Sequence, residues 1–335
     1  MEFKDLKLIL SWIRPANSTQ EENFVLWLVE RIRNLGYEPV QDGFGNVWVE
    51  HQNSSTLFTA HTDTCHSVKL VEQFQNLLFD EELGIASLEN PEHGYVLGAD
   101  DGTGIWVMLQ MLQAQVPASF VFYREEEVGG RGSHWSATNE PDRYARYNRA
   151  VSFDRKENHS IVTHQGGYRC CSEEFSDALS LQLEPHGVEF RSDTGGTFTD
   201  SANLTDLVGE CTNLSVGYNY QHSCSEYQDL SFLKTLVPAL IKVDWESLPT
   251  KRKPGEVESF YANYNPSNIN PWSWYTDEYV AVPGTKYVDQ QFEDSDVNFL
   301  DSLANNLIMY GEDFARELVY DSPEAAVELL LYLAR

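Results

Sequence analysis

Positive charge is what this chain has least of: 23 lysines and arginines stand against 52 aspartates and glutamates, for a net charge of −29. So acidic a chain repels nucleic acid and anionic membrane, and neither is expected as a partner. A handful of metal-binding carboxylates cannot account for such an excess, so most of it belongs to a strongly solvated surface. The five cysteines (Cys65, Cys170, Cys171, Cys211 and Cys224) show no C-x-x-C pairing and are odd in number. A disulfide framework or a cysteine-rich zinc module is therefore not expected. A reducing, cytoplasmic compartment is the simplest reading, with a Cys211–Cys224 bridge left open. No run of 18 apolar residues occurs, so no membrane span is expected. The start, Met1 to Leu6, has none of the basic, apolar and small-residue segments of a secretory leader. There is no G-x-S-x-G elbow, and Cys65 lacks the electropositive context of a nucleophile. Internal repeats and low-complexity tracts are absent too.

What is present suffices for a large core: 41% of the 335 residues are hydrophobic and 13% aromatic, enough for one large domain or one domain with an appendage. Ser18-Thr19-Gln20-Glu21 forms a capping box, and Phe24, Leu28, Val29, Ile32 and Leu35 follow at helical spacing up to Gly36. Strand-like runs lie at Tyr37–Val40, Asn46–Glu50, Thr56–Ala60, Ala118–Tyr123, Ala150–Phe153 and Thr212–Gly217. Helical spacing marks Gly102–Gln113 and Ser223–Val243. This alternation predicts an α/β fold: a mixed, largely parallel sheet with helices on both faces. Beyond Glu246 the character changes. Lys251-Arg252-Lys253-Pro254-Gly255 reads as a linker, residues 256–290 are polar with an aromatic cluster at Trp272, Trp274 and Tyr275, and Ser322-Pro323-Glu324 opens a last helix. The aromatic cluster could be a docking surface, a cap over the site, or simply packed on its own domain. The expected organisation is a catalytic domain at 1–248, a linker or irregular aromatic-rich segment at 249–291, and a C-terminal, mainly helical extension at 292–335.

Five acidic or histidine-bearing motifs follow one another along the chain: His61-Thr62-Asp63, Gly98-Ala99-Asp100-Asp101-Gly102, Glu125-Glu126-Glu127-Val128-Gly129, Phe153-Asp154-Arg155 and Gln221-His222-Ser223. Four sit just after strand-like runs, and in an open α/β sheet the loops at the carboxyl ends of strands converge on one rim. His61 can ligate a metal while Asp63 accepts its other ring N–H. A carboxylate in the Asp100-Asp101 turn can bridge two cations, although an Asp-Gly turn that caps a helix has the same look. Three consecutive glutamates at a strand end call for nearby positive charge, and two of them can divide the roles of metal ligand and general base. A solvated acidic loop is the plainer alternative. Asp154 and His222 taken singly read as buried hydrogen-bonding residues; the joint order is what points to a two-metal hydrolase.

Together the motifs resemble the co-catalytic zinc exopeptidases, the superfamily of leucyl-type aminopeptidases, tripeptidase T, glutamate carboxypeptidase and acetylornithine deacetylase. The matching segments are Ala60 to Thr64, Gly98 to Gly104, Glu126 to Ser133 and His222-Ser223, and the resemblance spans roughly residues 1–245. It implies two Zn2+ ions, with Co2+ or Mn2+ as substitutes. Asp100 would bridge them, His61 and Asp154 would complete one position, and Glu127 and His222 the other. Glu126 would be the general base, Asp63 would support His61, and the Asp100–Asp101 peptide would be cis. Glu125 matches no functional position. Some relatives insert a lid domain after the ligand that Asp154 matches, but here 67 residues separate Asp154 from His222; others insert a domain before the bridging aspartate, but His61 and Asp100 are 39 apart. The chain thus resembles the compact branch without a lid.

His164 and Tyr220 are candidates to stabilise an oxyanion, Arg155 to clamp a substrate carboxylate or to form a structural salt bridge, and Gly195 to Asp200 to form a substrate-side turn. The expected activity is terminal peptide-bond hydrolysis by an aminopeptidase. An N-acyl amino acid amidase or deacetylase, or a carboxypeptidase, would use the same site, and a non-enzymatic peptide-binding protein could share the fold. The partner expected is a peptide or N-acyl amino acid, with oligomeric state left open.

Overall fold

The structure, a computed structural model, describes residues 3–80 and 82–256. The aromatic cluster at Trp272 to Tyr275 and the helical extension at 292–335 lie outside the described residues. The amino-terminal part contains helices α1 (Lys4–Ser11) and α2 (Thr19–Asn34) and strands β1 (Val40–Gln41), β2 (Val47–Val49), β3 (Thr56–His61), β4 (Leu77–Asp80) and β5 (Ile85–Leu88). Helix α3 (Ala99–Gln113), strand β6 (Ser119–Tyr123), helix α4 (Arg131–Asn139) and strand β7 (Arg149–Arg155) come next. Strands β8 (Ser160–Val162), β9 (His164–Gln165) and β10 (Tyr168–Arg169) precede helix α5 (Glu173–Leu183) and strand β11 (Arg191–Asp193). Last are β12 (Glu210–Ser215), β13 (Tyr218–Asn219), β14 (Tyr227–Asp229) and helix α6 (Leu230–Lys242).

Eight strands join in the order β1-β2-β6-β3-β7-β12-β8-β11. The central four, β6, β3, β7 and β12, are mutually parallel, and the edges add antiparallel pairings. Every residue of β3, β6 and β12 is buried, as a sheet covered by helices on both faces requires. These are the runs read as strands from their apolar and β-branched content. His61 aligns with Tyr123, and Thr59 with Ser152, so the carboxyl ends of β3, β6 and β7 finish level on one rim. Below it Phe58 packs on Phe120, Phe153 and Trp245, with ring centroids 5.4, 5.3 and 4.8 Å away.

Helix α3 is buried almost all round and lies against β3 and β7. Gly104 makes that approach feasible: a Cβ there would collide with the Asp101 carboxylate and the Phe153 carbonyl. The stretches between His61 and Asp100 and between Asp154 and His222 supply β4 and β5, and β8 to β13 with α5. Among the described residues they build no separate lid, in keeping with the compact branch.

Two expectations change, and one alternative left open is closed. The helix expected from Ser223 starts at Leu230, because Asp229 caps it by accepting from the Phe232 amide at 2.8 Å. Tyr227–Asp229 instead pairs with β5 and β13 in a four-stranded antiparallel sheet. The Lys251–Gly255 stretch is fastened rather than linker-like: the buried Arg252 guanidinium donates to the carbonyls of Arg169, Thr205, Val208 and Gly209. All five cysteines are free, so no Cys211–Cys224 bridge forms. No helix among the described residues is long and apolar enough to cross a membrane.

Candidate metal centre

Parallel strand ends and the loops beyond them bring the five motifs to one place. His61 ends β3, and its Nε2 lies 3.0 Å from Asp100 Oδ1 and 3.7 Å from Asp154 Oδ1. His222, 95 positions beyond Glu127, places its Nε2 3.1 Å from Glu127 Oε2 and 3.3 Å from Asp100 Oδ2. The two oxygens of Asp100 therefore face two separate donor groups. Glu126 Oε2 stands 3.9 Å from His61 Nε2, beside the first group.

Backbone amides and buried hydroxyls aim these side chains. Glu226 accepts from the amides of Gly98, Ala99 and Asp100 at 2.9, 2.9 and 3.0 Å, which fixes the loop carrying Asp100; the Asp100–Asp101 peptide is cis. Asp101 turns its carboxylate to the amides of His61 and Gly104, at 3.1 and 3.0 Å. Asp154 is held from both sides: its Oδ2 accepts from the Thr199 hydroxyl at 2.7 Å and its Oδ1 from the Tyr218 hydroxyl at 3.0 Å.

Asp63 does more than orient His61. Its carbonyl takes the Nδ1 proton at 3.1 Å and its Oδ1 is 3.4 Å from the same nitrogen. The carboxylate's own bonds go to the amides of Glu126 and Glu127, each at 3.0 Å. One aspartate thus sets both the imidazole and the glutamate pair. Glu21, expected to close the α2 capping box, turns inward and accepts from Thr62 and Arg124.

The electrostatics call for positive charge. Burial disfavours the charged His61 ring, but bonds to Asp100, Asp154 and Asp63 override it and raise its pKa well above the usual value. Burial, with Asp154, Glu127 and Asp200 nearby, pushes the Glu126 carboxyl well up. Burial and the Asp100 charge raise Asp154 to about 6. Burial lifts Asp200, which has both oxygens buried without a hydrogen-bond partner, to about 8. Asp100 goes the other way: burial opposes its charge, yet His222 and His61 hold it far below the carboxylate range. Ligand atoms of His61, Asp100 and Asp154 fall within 4.8 Å of one another, a spacing at which like charges repel by roughly 3 kcal/mol at an effective dielectric near 20. Divalent cations would remove that repulsion. Glu127 Oε1, buried and without a hydrogen-bond partner, is an unused acceptor whose lone pair a cation could take up. Two imidazoles with three carboxylates are a donor set suited to such ions, so the residues fit the metal pair.

The substrate-side candidates fare differently. Arg155 is committed to Asp193 Oδ2 and the Gly195 carbonyl, both at 3.1 Å; the salt bridge, not the carboxylate clamp, is what the structure contains. Tyr220 is 62% exposed, with its ring against Tyr227. His164 is buried in β9, its Nδ1 3.0 Å from the Thr163 hydroxyl, with burial and Arg169 lowering its pKa to about 4. Glu125 is buried and paired with Arg131 at 2.7 Å. The reading from motifs missed Glu226 and Tyr218, which have no periodicity or motif signal, and placed Thr199 only within a substrate-side turn: a buried carboxylate under a turn and the two hydroxyls that hold Asp154 are recognisable only once the fold joins them.

Neither a protein-family profile nor a curated protein matches the sequence. Solved structures do match. The aminopeptidase PepT of Bacillus cereus is 12% identical over 71% of this chain and 95% of its own, with a TM-score of 0.57. A tripeptidase of Staphylococcus aureus is 13% identical over 72% and 96%, with a TM-score of 0.58. The TET1 peptidase of Pyrococcus horikoshii is 16% identical over 72% and 98%, with a TM-score of 0.53. The chain therefore has the fold of these peptidases, as its resemblance to the co-catalytic zinc exopeptidases led us to expect.

Proposed function

We propose that the protein is a zinc-dependent exopeptidase, most specifically an aminopeptidase. The observation that carries this reading is the division of the Asp100 carboxylate between the His61–Asp154 group and the Glu127–His222 group. His61, Asp100 and Asp154 would hold one ion, and Asp100, Glu127 and His222 the other. When bound, the ions supply electrophilic polarisation of the scissile carbonyl and acidify a water.

The chain's own residues supply the rest. Glu126 takes a proton from the attacking water and returns it to the leaving amine. Asp63 keeps the Glu126 carboxylate beside His61 through the Glu126 and Glu127 amides, and fixes the His61 tautomer. Thr199 and Tyr218 hold Asp154 so that its charge faces inward. A surplus of carboxylates around the rim favours a substrate ammonium. The arginine that could have clamped a substrate carboxylate is occupied by Asp193. Both features favour a free amino terminus over a free carboxyl terminus.

The zinc-loaded protein should hydrolyse aminoacyl amides and free peptides while leaving N-acetylated peptides and N-acyl amino acids intact. Turnover of N-acyl amino acids alone would make it an amidase, and peptide binding without turnover a binding protein.

A further inference from the structure

The position formed by Glu127 and His222 contains one more donor. Cys65 lies two residues past Asp63, and its Sγ is 3.0 Å from Glu127 Oε2. The same oxygen is 3.1 Å from His222 Nε2. One ligand atom from each of Cys65, Glu127 and His222 falls within 4.8 Å of the others. Donors bound to one zinc at roughly 2.0–2.3 Å stand about 3.3–3.8 Å apart in a tetrahedron, so small movements would suffice to seat an ion. Asp100 Oδ2 lies 3.3 Å from His222 Nε2 and is the fourth candidate donor.

A structural thiol, donating to Glu127, is the plainer reading of a half-buried cysteine, but one observation speaks against it. The Glu127 side chain is only 7% exposed and its Oε1 is buried with no hydrogen-bond partner, which leaves a donor at this position unexplained. A nucleophilic role does not fit either, since the adjacent carboxylate opposes a thiolate.

We infer that Cys65 is a protein ligand of the cation position formed by Asp100, Glu127 and His222. This rests on the two-metal reading above and makes the two positions unequal. Four protein donors close a zinc site, whereas three leave a place open for substrate. The open place is then at His61, Asp100 and Asp154, next to Glu126. A soft sulfur donor also makes the closed position prefer zinc, cobalt or cadmium to manganese or magnesium. On loading, the thiol proton leaves to solvent and sulfur donates a lone pair to the ion.

The test is a Co2+ titration of the full-length, metal-stripped protein followed by absorption spectroscopy. Two ions should bind, with a sulfur-to-cobalt charge-transfer band in the near ultraviolet. The band should persist in Cys224→Ser and vanish in Cys65→Ser, whose visible ligand-field bands remain while affinity at one position falls about 10-fold or more. Two bound ions without the band, or a band that survives Cys65→Ser or is lost in Cys224→Ser, overturns the inference alone. Uptake of fewer than two ions overturns the two-metal reading and the inference with it. If Cys65→Ser does not fold, alkylation of the wild-type protein decides: loading must protect Cys65 from iodoacetamide, and equal labelling with and without metal refutes its ligation.

Discussion

The two halves of the site are built by different means. The His61–Asp154 half lies on the ends of adjacent parallel strands, and its donors carry secondary bonds: Asp154 to Thr199 and Tyr218, His61 to Asp63. The Glu127–His222 half comes from loops. His222 lies seven residues beyond β12 at a positive φ of 58° with a 21% exposed side chain, and Glu127 keeps one oxygen without a partner. Rigid elements place ligands more accurately than loops do. The first half is therefore preorganised, while the second, on the two-metal reading, would depend on an ion to finish it. Asp100, pinned by Glu226, joins the two.

The largest effect should come from breaking that joint. Asp100→Asn removes one negative charge from both positions, so neither should retain metal through dialysis and hydrolysis should fall to background. Metal analysis beside a peptide assay checks it, and retention of one tightly bound ion would show the halves to be independent. Next come the adjacent glutamates. Glu126→Gln should keep both ions and lose ~10²–10⁴ in kcat. Glu127→Gln should lose affinity at the loop-built half and recover part of its activity in excess zinc. Glu125→Gln, at a carboxylate paired with Arg131, should leave turnover near wild type.

Smaller effects sharpen the contrast. Thr199→Val and Tyr218→Phe each remove one bond to Asp154 and should weaken metal binding by about 10–100-fold, at the strand-built half only. Equal loss at both halves would mean that Asp154 supports the whole centre. Smaller still should be the difference between a cut after Glu246 and a cut after residue 256, the second of which spares every described contact of Arg252. A cut after Glu246 removes Leu248 and Arg252 and should cost roughly 2–5 kcal/mol of stability, measured by denaturant unfolding. Equal stability of the two truncations would put the edge of the folded body at Glu246 after all.

This contrast also explains what could be read from sequence. The strand-built half announces itself, because apolar runs such as Thr56–Ala60 and Ala150–Phe153 end in His61 and Asp154, and parallel strands put such ends on one rim. The loop-built half gives weaker signals. Tyr227, Leu230, Leu233, Leu236 and Val237 follow a helical rhythm, which hid the β14 strand and the Asp229 cap. Glu226, one residue before that strand, reads as another surface acid in an acidic chain; its role depends on three amides of a loop more than 120 residues earlier. Cys65 looked inert because the groups around it, Glu127 and His222, come from distant segments. Short polar strands such as Arg191–Asp193 hold their place by pairing, not by any pattern of their own.

The most direct measurement is a zinc-edge anomalous map of crystals of the zinc-loaded protein. Two peaks should flank Asp100, one against His61 and Asp154 and the other against Glu127 and His222. A single peak, or a second peak that Asp100 does not touch, would contradict a site joined by one shared carboxylate.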